Sequence, residues 1–241
     1  MLNIFDGRRV LITGASAGIG LSLARKISLS GAEVLAFGRR PQSELPGDFP
    51  DIAYRSIDLA EPGAAGEIVA AVEELDWDTL DILILNAGTG RYAAIDADDA
   101  ASIADTVRVN LAAPVAIAHA LSGHLLAAQG RLVLVGSVAH KGSRGFPVYA
   151  ATKAALNGFA RSLHSEWRDR VRVQVFHPGP VASEMHARAG YDAGWLRKLF
   201  LKPDDVAEVM IRRMPGGRTP QTVGYRAVIR LKETGFLRGA R

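Results

Sequence analysis

The chain has 241 residues, 48% of them hydrophobic and 22% charged, with a formal net charge of +4 and no cysteine. That composition is globular, and the missing thiols exclude disulfides and thiolate zinc sites. The most apolar stretch, Val109 to Leu126, is interrupted by Asn110, Pro114, His119 and His124, so it falls short of the roughly 18 unbroken apolar residues of a membrane span.

The first predicted element is a strand near 8–13, and its apolar end, Val10-Leu11-Ile12, runs straight into TGASAGIG, Thr13 to Gly20. The opening MLNIFDGRRVLITG leaves no room for a signal peptide, so a cytoplasmic location is expected. Gly14, Gly18 and Gly20 fall where the strand hands over to a helix near 19–30. Glycines there allow a sharp turn and a close approach to the main chain, and the unpaired amides at the helix start attract an anion. A dinucleotide pyrophosphate is the usual occupant, and a tight turn with nothing bound is the alternative.

A strand near 33–38 ends in Gly38-Arg39-Arg40, and one near 52–57 is followed by Asp58-Leu59. A helix near 62–75 opens with Pro62, suited to a first turn. The apolar strand near 81–86 delivers Asn86-Ala87-Gly88, a long helix is predicted over 98–126, and the strand near 131–136 ends at Ser137. A helix near 148–168 carries Tyr149 and Lys153, and the strand near 171–176 leads to HPGPVAS. Residues 181–202 read as a substrate lid within the same domain, followed by a helix near 203–214 and a seventh strand near 222–230. This alternation predicts a doubly wound α/β domain, 1–241, with a parallel sheet and helices on both faces. Ligands of such sheets gather at the carboxyl ends of the strands. Five strand ends in order carry polar, glycine or proline residues that could serve one. Taken singly, each is also an ordinary turn or a solvated side chain.

Of the six histidines none forms an HExxH pair, so no metal site is expected. From Ile211 to Arg241 eight basic residues (Arg212, Arg213, Arg218, Arg226, Arg230, Lys232, Arg238 and Arg241) face one acid, Glu233. With no nucleic-acid module or aromatic interleaving nearby, this reads as a solvated face or subunit contact, and no nucleic-acid partner is expected.

Tyr149 and Lys153, in YAATK, stand four apart and share a helix face. Free tyrosine titrates near pH 10, and bringing it to neutrality takes roughly 4 kcal/mol of differential stabilisation, which a nearby ammonium can supply. With TGASAGIG, NAG, Asn110, Ser137 and HPGPVAS, the chain from Gly7 to Met185 resembles the short-chain dehydrogenase/reductase family in its compact form. The resemblance covers about three quarters of the chain. It implies a Rossmann-like fold and an NAD(P)-dependent oxidoreductase acting on a carbonyl or secondary alcohol. Tyr149 would be the general acid/base, Ser137 would hydrogen-bond the substrate oxygen, Lys153 would bind the nicotinamide ribose and lower the tyrosine pKa, and Asn110 would hold a water. Gly14, Ser16, Gly18, Ile19 and Gly20 would take the adenosine and pyrophosphate end. Asp58 and Leu59 would take the adenine, Asn86, Ala87 and Gly88 the ribose side, and Pro178, Gly179, Val181 and Ser183 the nicotinamide.

The second strand ends without an acid, and Arg39 and Arg40 offer guanidinium forks for a 2′-phosphate, so NADP is expected over NAD. Ala17 stands where many NADP-dependent members have Lys or Arg. The ending YRAVIRLKETGFLRGAR departs from the glycine-rich close of tetrameric members; a homo-oligomer, dimer or tetramer, is still expected through the helices at 98–126 and 148–168. Substrate-pocket candidates are His140, Phe146, Val148, Arg91, Tyr92, Met185, Tyr191, Trp195, Leu196 and Phe200, whose apolar character hints at an apolar substrate or simply closes a core. The competing class is a catalytically silent cofactor-sensing or scaffold protein on the same fold.

Overall fold

Apolar runs such as RVLIT, ILIL and RLVLV can be buried on both faces only inside a sheet covered by two helical layers. A computed structural model of the protein describes residues 4–239, with side chains through residue 233. Among the described residues, seven strands form one parallel sheet: β1 (Arg9–Thr13), β2 (Glu33–Gly38), β3 (Ala53–Ser56), β4 (Ile82–Leu85), β5 (Arg131–Val135), β6 (Arg172–Pro178) and β7 (Gln221–Val223), in the order β3-β2-β1-β4-β5-β6-β7. The order reverses at β1 and β4, which pair Val10 with Ile82 and Ile12 with Ile84. The helices are α1 (Gly18–Ser28), α2 (Ala64–Glu73), α3 (Ala100–Val107), α4 (Ala113–Ala120), α5 (Ser122–Ala127), α6 (Pro147–Trp167), α7 (Glu184–Arg188), α8 (Pro203–Arg213) and α9 (Tyr225–Gly239).

Alternation along each strand divides the core. Val10 and Ile12 pack with Leu23 and Ile27 of α1 and with Val206 and Met210 of α8. Leu11, Leu83, Leu132 and Val173 face the other way, toward Ile68 and Val72 of α2 and Ile117 of α4. Each such side chain contributes about 1.5–3 kcal/mol on burial. The resulting slab fixes the strand ends on which the polar residues stand.

Three expectations about elements need correction. The helix near 62–75 begins at Ala64, because Gly63 caps it in a left-handed conformation (φ 92°) and leaves Pro62 outside. The helix near 98–126 is three helices, interrupted by a π turn at Arg108–Ala112 and by Leu121, whose φ and ψ of −97° and 9° leave the helical region. The strand near 222–230 is only Gln221–Val223, and the chain then turns helical from Tyr225. Val228 is buried and Ala227 and Leu231 pack beside it, a three-to-four-residue spacing that suits a helix.

Candidate active site

The turn after β1 is built from glycines for steric reasons visible at each. Gly14 has a φ of 67°, and a Cβ there would stand 2.8 Å from Ala87 Cα; a Cβ on Gly20 would meet the Gly14 carbonyl oxygen at 2.1 Å. The helix therefore packs directly on the turn. Ala17, at its N-cap, makes no side-chain cap, so the first amides of α1 have no side-chain acceptor there.

Gly14, Ser16, Gly18 and Ile19 line a cavity of about 1030 Å³ that runs across the strand ends. Arg39, Arg40, Asp58, Leu59, Asn86, Ala87 and Gly88 line it too, as do Ser137, Tyr149, Lys153, Pro178, Gly179, Val181 and Ser183. Two expected residues are not on this wall: Gly20 is spent on helix packing, and Asn110 is fully buried behind it. Asn86 lines the cavity, but its Nδ2 donates to the carbonyls of Thr13 and Gly14, tying β4 to the turn. Arg39 is exposed, 3.9 Å from an Asp58 carboxylate oxygen, while Arg40 donates to Glu184 at 2.7 Å. A turn with glycine at its three tightest points, uncapped amides and an exposed guanidinium at the rim together fit a phosphorylated dinucleotide.

At the other end, α6 starts at Pro147 and presents Tyr149 and Lys153 on one face. Lys153 Nζ lies 5.7 Å from the centre of the Tyr149 ring and donates to the Val135 carbonyl at 2.8 Å. Burial raises the Tyr149 pKa above its ordinary value, and a hydrogen bond with the Ser137 side chain opposes that. Burial brings Lys153 down to about 8. The Ser137 hydroxyl thus stabilises the phenolate, and the Lys153 ammonium beside the ring is placed to add to it.

Asn110, in the π turn, accepts from the Thr89 amide at 2.8 Å and donates to the Thr89 carbonyl and to Thr152 Oγ1. Its side chain staples the loop after β4 to α6.

Of the pocket candidates, Tyr92, Phe146, Met185, Tyr191 and Phe200 line the cavity; His140, Val148, Arg91, Trp195 and Leu196 do not. Arg91 pairs with Asp99 instead, and Trp195 is 73% exposed. Between a Val181–Leu201 bridge, the 181–202 segment folds as α7 and a 3₁₀ turn, Gly194–Leu199, and Ser183 comes against Gly18. Sequence reading missed Glu184, which links this segment to Arg40, and His177 with Asn157, which stand behind Ser137. The signals were present in HPG and in the spacing of Asn157 from Lys153, but their meaning depends on how β5 and β6 pair.

Residues 8–193 match the family described as short chain dehydrogenase. The chain is 29% identical to gluconate 5-dehydrogenase of Gluconobacter oxydans (strain 621H), over 97% of this chain and 91% of that protein. It is 30% identical to L-xylo-3-hexulose reductase of Hypocrea jecorina (strain QM6a), over 79% of this chain and 72% of that one. The crystal structure of 3-oxoacyl (acyl-carrier-protein) reductase from Agrobacterium tumefaciens C58 with NADP bound superimposes with a TM-score of 0.77 at 26% identity, covering 93% of this chain and 98% of that one. With a family match spanning most of its length and the glycine turn, Ser137, Tyr149 and Lys153 on one cavity, the chain belongs to the short-chain dehydrogenase family.

Proposed function

We propose that the protein is an NADP(H)-dependent carbonyl reductase, with Tyr149 as general acid/base. The observation that carries this is the convergence of Ser137, Tyr149 and Lys153 on the cavity that also holds the glycine turn and Arg39. Bound nicotinamide would supply or accept the hydride. Ser137 and Tyr149 would hold the substrate oxygen, and the tyrosine hydroxyl, kept protonated by burial, would donate to the developing alkoxide. That protonation state favours reduction near neutral pH. Lys153 would grip the nicotinamide ribose and bias Tyr149 electrostatically, and residues 181–202 would close over the substrate. Titrating NADPH and NADH and then offering a carbonyl panel tests the reading. NADPH binding with no carbonyl turned over would return the protein to the cofactor-sensing class.

NADP(H) is proposed over NAD(H) because Gly38 is followed by two arginines and β2 ends without an acid, and a solved relative carries NADP. Arg39 is the freer of the two, since Arg40 is engaged by Glu184. Arg39→Asp should weaken NADPH binding tenfold or more, about 1.4 kcal/mol per factor of ten, with NADH binding held or improved. Equal affinities of the wild type for the two cofactors would refute the assignment.

A second copy of the chain is the proposed partner. Ala100–Ala120 has a mean hydropathy of 1.2 with only 28% of its apolar window buried, and Val107 and Val115 are exposed. This run has the length and composition of a membrane-crossing helix, but it carries the π turn whose Asn110 is hydrogen-bonded to Thr89, which fits a protein contact better. Light scattering at micromolar concentration should show at least a dimer, and Val115→Asp should shift it toward monomer. A monomeric wild type would overturn this.

A further inference from the structure

The wall facing Tyr149 is a run of rings. Phe146 lies 6.0 Å from Tyr149, Tyr92 lies 5.2 Å from Phe146, and Tyr191 lies 4.9 Å from Tyr92, centre to centre. His186 continues the run 5.8 Å from Tyr191, and Phe200 lies 4.9 Å beyond it. Three separate loops supply these rings, and the main chain ties them: the Tyr92 amide donates to the Ala189 carbonyl at 2.7 Å and the Ala93 amide to the Gly145 carbonyl at 2.9 Å. Glycines make room for them. A Cβ on Gly145 would strike the Tyr92 ring at 2.1 Å, and one on Gly90 would crowd the Tyr149 ring at 3.1 Å. Tyr92 nevertheless remains 45% exposed, so the ring is packed on one side and open on the other.

We infer that the substrate is an apolar, ring-bearing ketone or aldehyde whose carbonyl reaches Tyr149 while its ring lies against Tyr92 and Phe146. This rests on the reductase reading and names its substrate class. Aromatic walls reward a flat hydrocarbon face through offset and edge-on contacts. A polyhydroxy ketone would lose water from each hydroxyl laid against those rings and gain little from the ring faces in return. On this count the chain parts from its relatives named for gluconate and hexulose.

The test is NADPH oxidation by the wild type with 1-tetralone and propiophenone against D-fructose and 5-keto-D-gluconate. We expect kcat/KM for the aryl ketones at least a hundredfold above that for the sugars. Tyr92→Ala should raise the aryl-ketone KM tenfold or more, while reduced-nicotinamide fluorescence, measuring NADPH binding, stays near wild type and certifies the fold. Sugars turned over as well as or better than aryl ketones would overturn the substrate class alone. No turnover of any ketone by NADPH-bound protein would overturn the reductase reading with it. An unchanged aryl-ketone KM in Tyr92→Ala would also overturn the proposed wall.

A second inference stands on the other side of Ser137. The register pairs Val135 with Phe176, which sets Ser137 beside His177. The Ser137 amide donates to His177 Nδ1 at 3.2 Å, and Nε2 of the same ring is 2.9 Å from Asn157 Oδ1. Asn157 is on α6, four residues after Lys153. The ring is 1% exposed, and a Cβ on Gly136 would meet its Nδ1 at 2.4 Å, so no side chain but hydrogen fits there. Stacked 3.9 Å away, His140 has its own Nδ1 2.7 Å from the Ser137 carbonyl. Burial, and then the neighbouring His140, hold His177 down to about 4, which keeps it neutral and able to accept.

The geometry points to His177 and Asn157 as positioning residues that fix Ser137 relative to the helix bearing Tyr149. His177→Leu, with the acceptor removed, should lower kcat tenfold or more with NADPH affinity within twofold. His177→Asn, which keeps an acceptor near the Nδ1 position, should recover most of the loss. Equal kcat in wild type and His177→Leu would overturn the role, as would parallel losses of kcat and NADPH binding with no rescue by asparagine. A wild type that binds NADPH but turns over nothing would overturn the reductase reading first.

Discussion

Tyr149→Phe is expected to bind NADPH nearly as the wild type does and to lose turnover by about 10²–10⁴-fold, the usual contribution of a positioned acid or base. The substitution removes one oxygen and leaves the ring. Phe146 packs against that ring edge-on at 6.0 Å, and Gly90 leaves space for it, so the aromatic body has what it needs to stay in place. What vanishes is the proton that must reach the alkoxide, together with one of the two groups proposed to hold the substrate oxygen. No neighbour offers a substitute at that position. Ser137 can hydrogen-bond but is a far weaker acid, and Lys153 is directed at the Val135 carbonyl. Steady-state NADPH oxidation with the best ketone, alongside NADPH titration, separates the two effects. Near-wild-type turnover would sink the assigned mechanism, and lost cofactor binding would show that the hydroxyl also organises the cofactor side.

Local chemistry and a global alternation make much of this site legible in the sequence. The glycines at 14, 18 and 20 report a steric demand that any reader of the turn can recover, and the continuous apolar strands say where the turn must sit. The strand-end rule then gathers Arg39, Asp58, Asn86, Ser137 and Pro178 without knowledge of a single contact. Side chains whose role depends on partners far away in the chain resisted. Asn110 was found, yet its bonds to Thr89 and Thr152 follow from a π turn that no apolar periodicity announces. In the sequence His177 is only the residue before Pro-Gly, and the β5–β6 register is what places it against Ser137. Glu184 reached Arg40 across 144 residues of sequence, a pairing set by how the segment after β6 folds back. The excess length of the seventh strand, expected to 230 and ending at Val223, has a similar origin: Val228 and Leu231 look alike in a strand or a helix until the packing partner is known.

Lys153→Met should damage both cofactor binding and proton transfer, and the two can be read separately. The side chain is 3% exposed and its ammonium is anchored by the Val135 carbonyl, so methionine can fill the volume while removing the charge and the donor. Affinity for NADPH should fall because the proposed ribose contact is lost. The charge itself sits 5.7 Å from the tyrosine ring centre, and a full charge at that separation is worth about 3 kcal/mol at an effective dielectric of ~20. Burial already pushes the Tyr149 pKa up, and Ser137 pulls it down; deleting a nearby cation leaves the phenolate less stabilised and moves the pKa further up. The sign follows for each direction of the reaction. Alcohol oxidation needs the phenolate, so its rising limb should move to higher pH, whereas carbonyl reduction needs the phenol and should persist to higher pH in the variant. The wild type carries an additional limit: burial holds Lys153 down to about 8, so the free protein loses this charge as pH climbs through that value. Profiles of kcat and kcat/KM against pH in both directions, with NADPH held saturating for the variant, measure these shifts. A variant that lost only affinity, with its pH limbs where the wild type has them, would remove Lys153 from proton transfer and leave Ser137 as the residue that tunes the tyrosine.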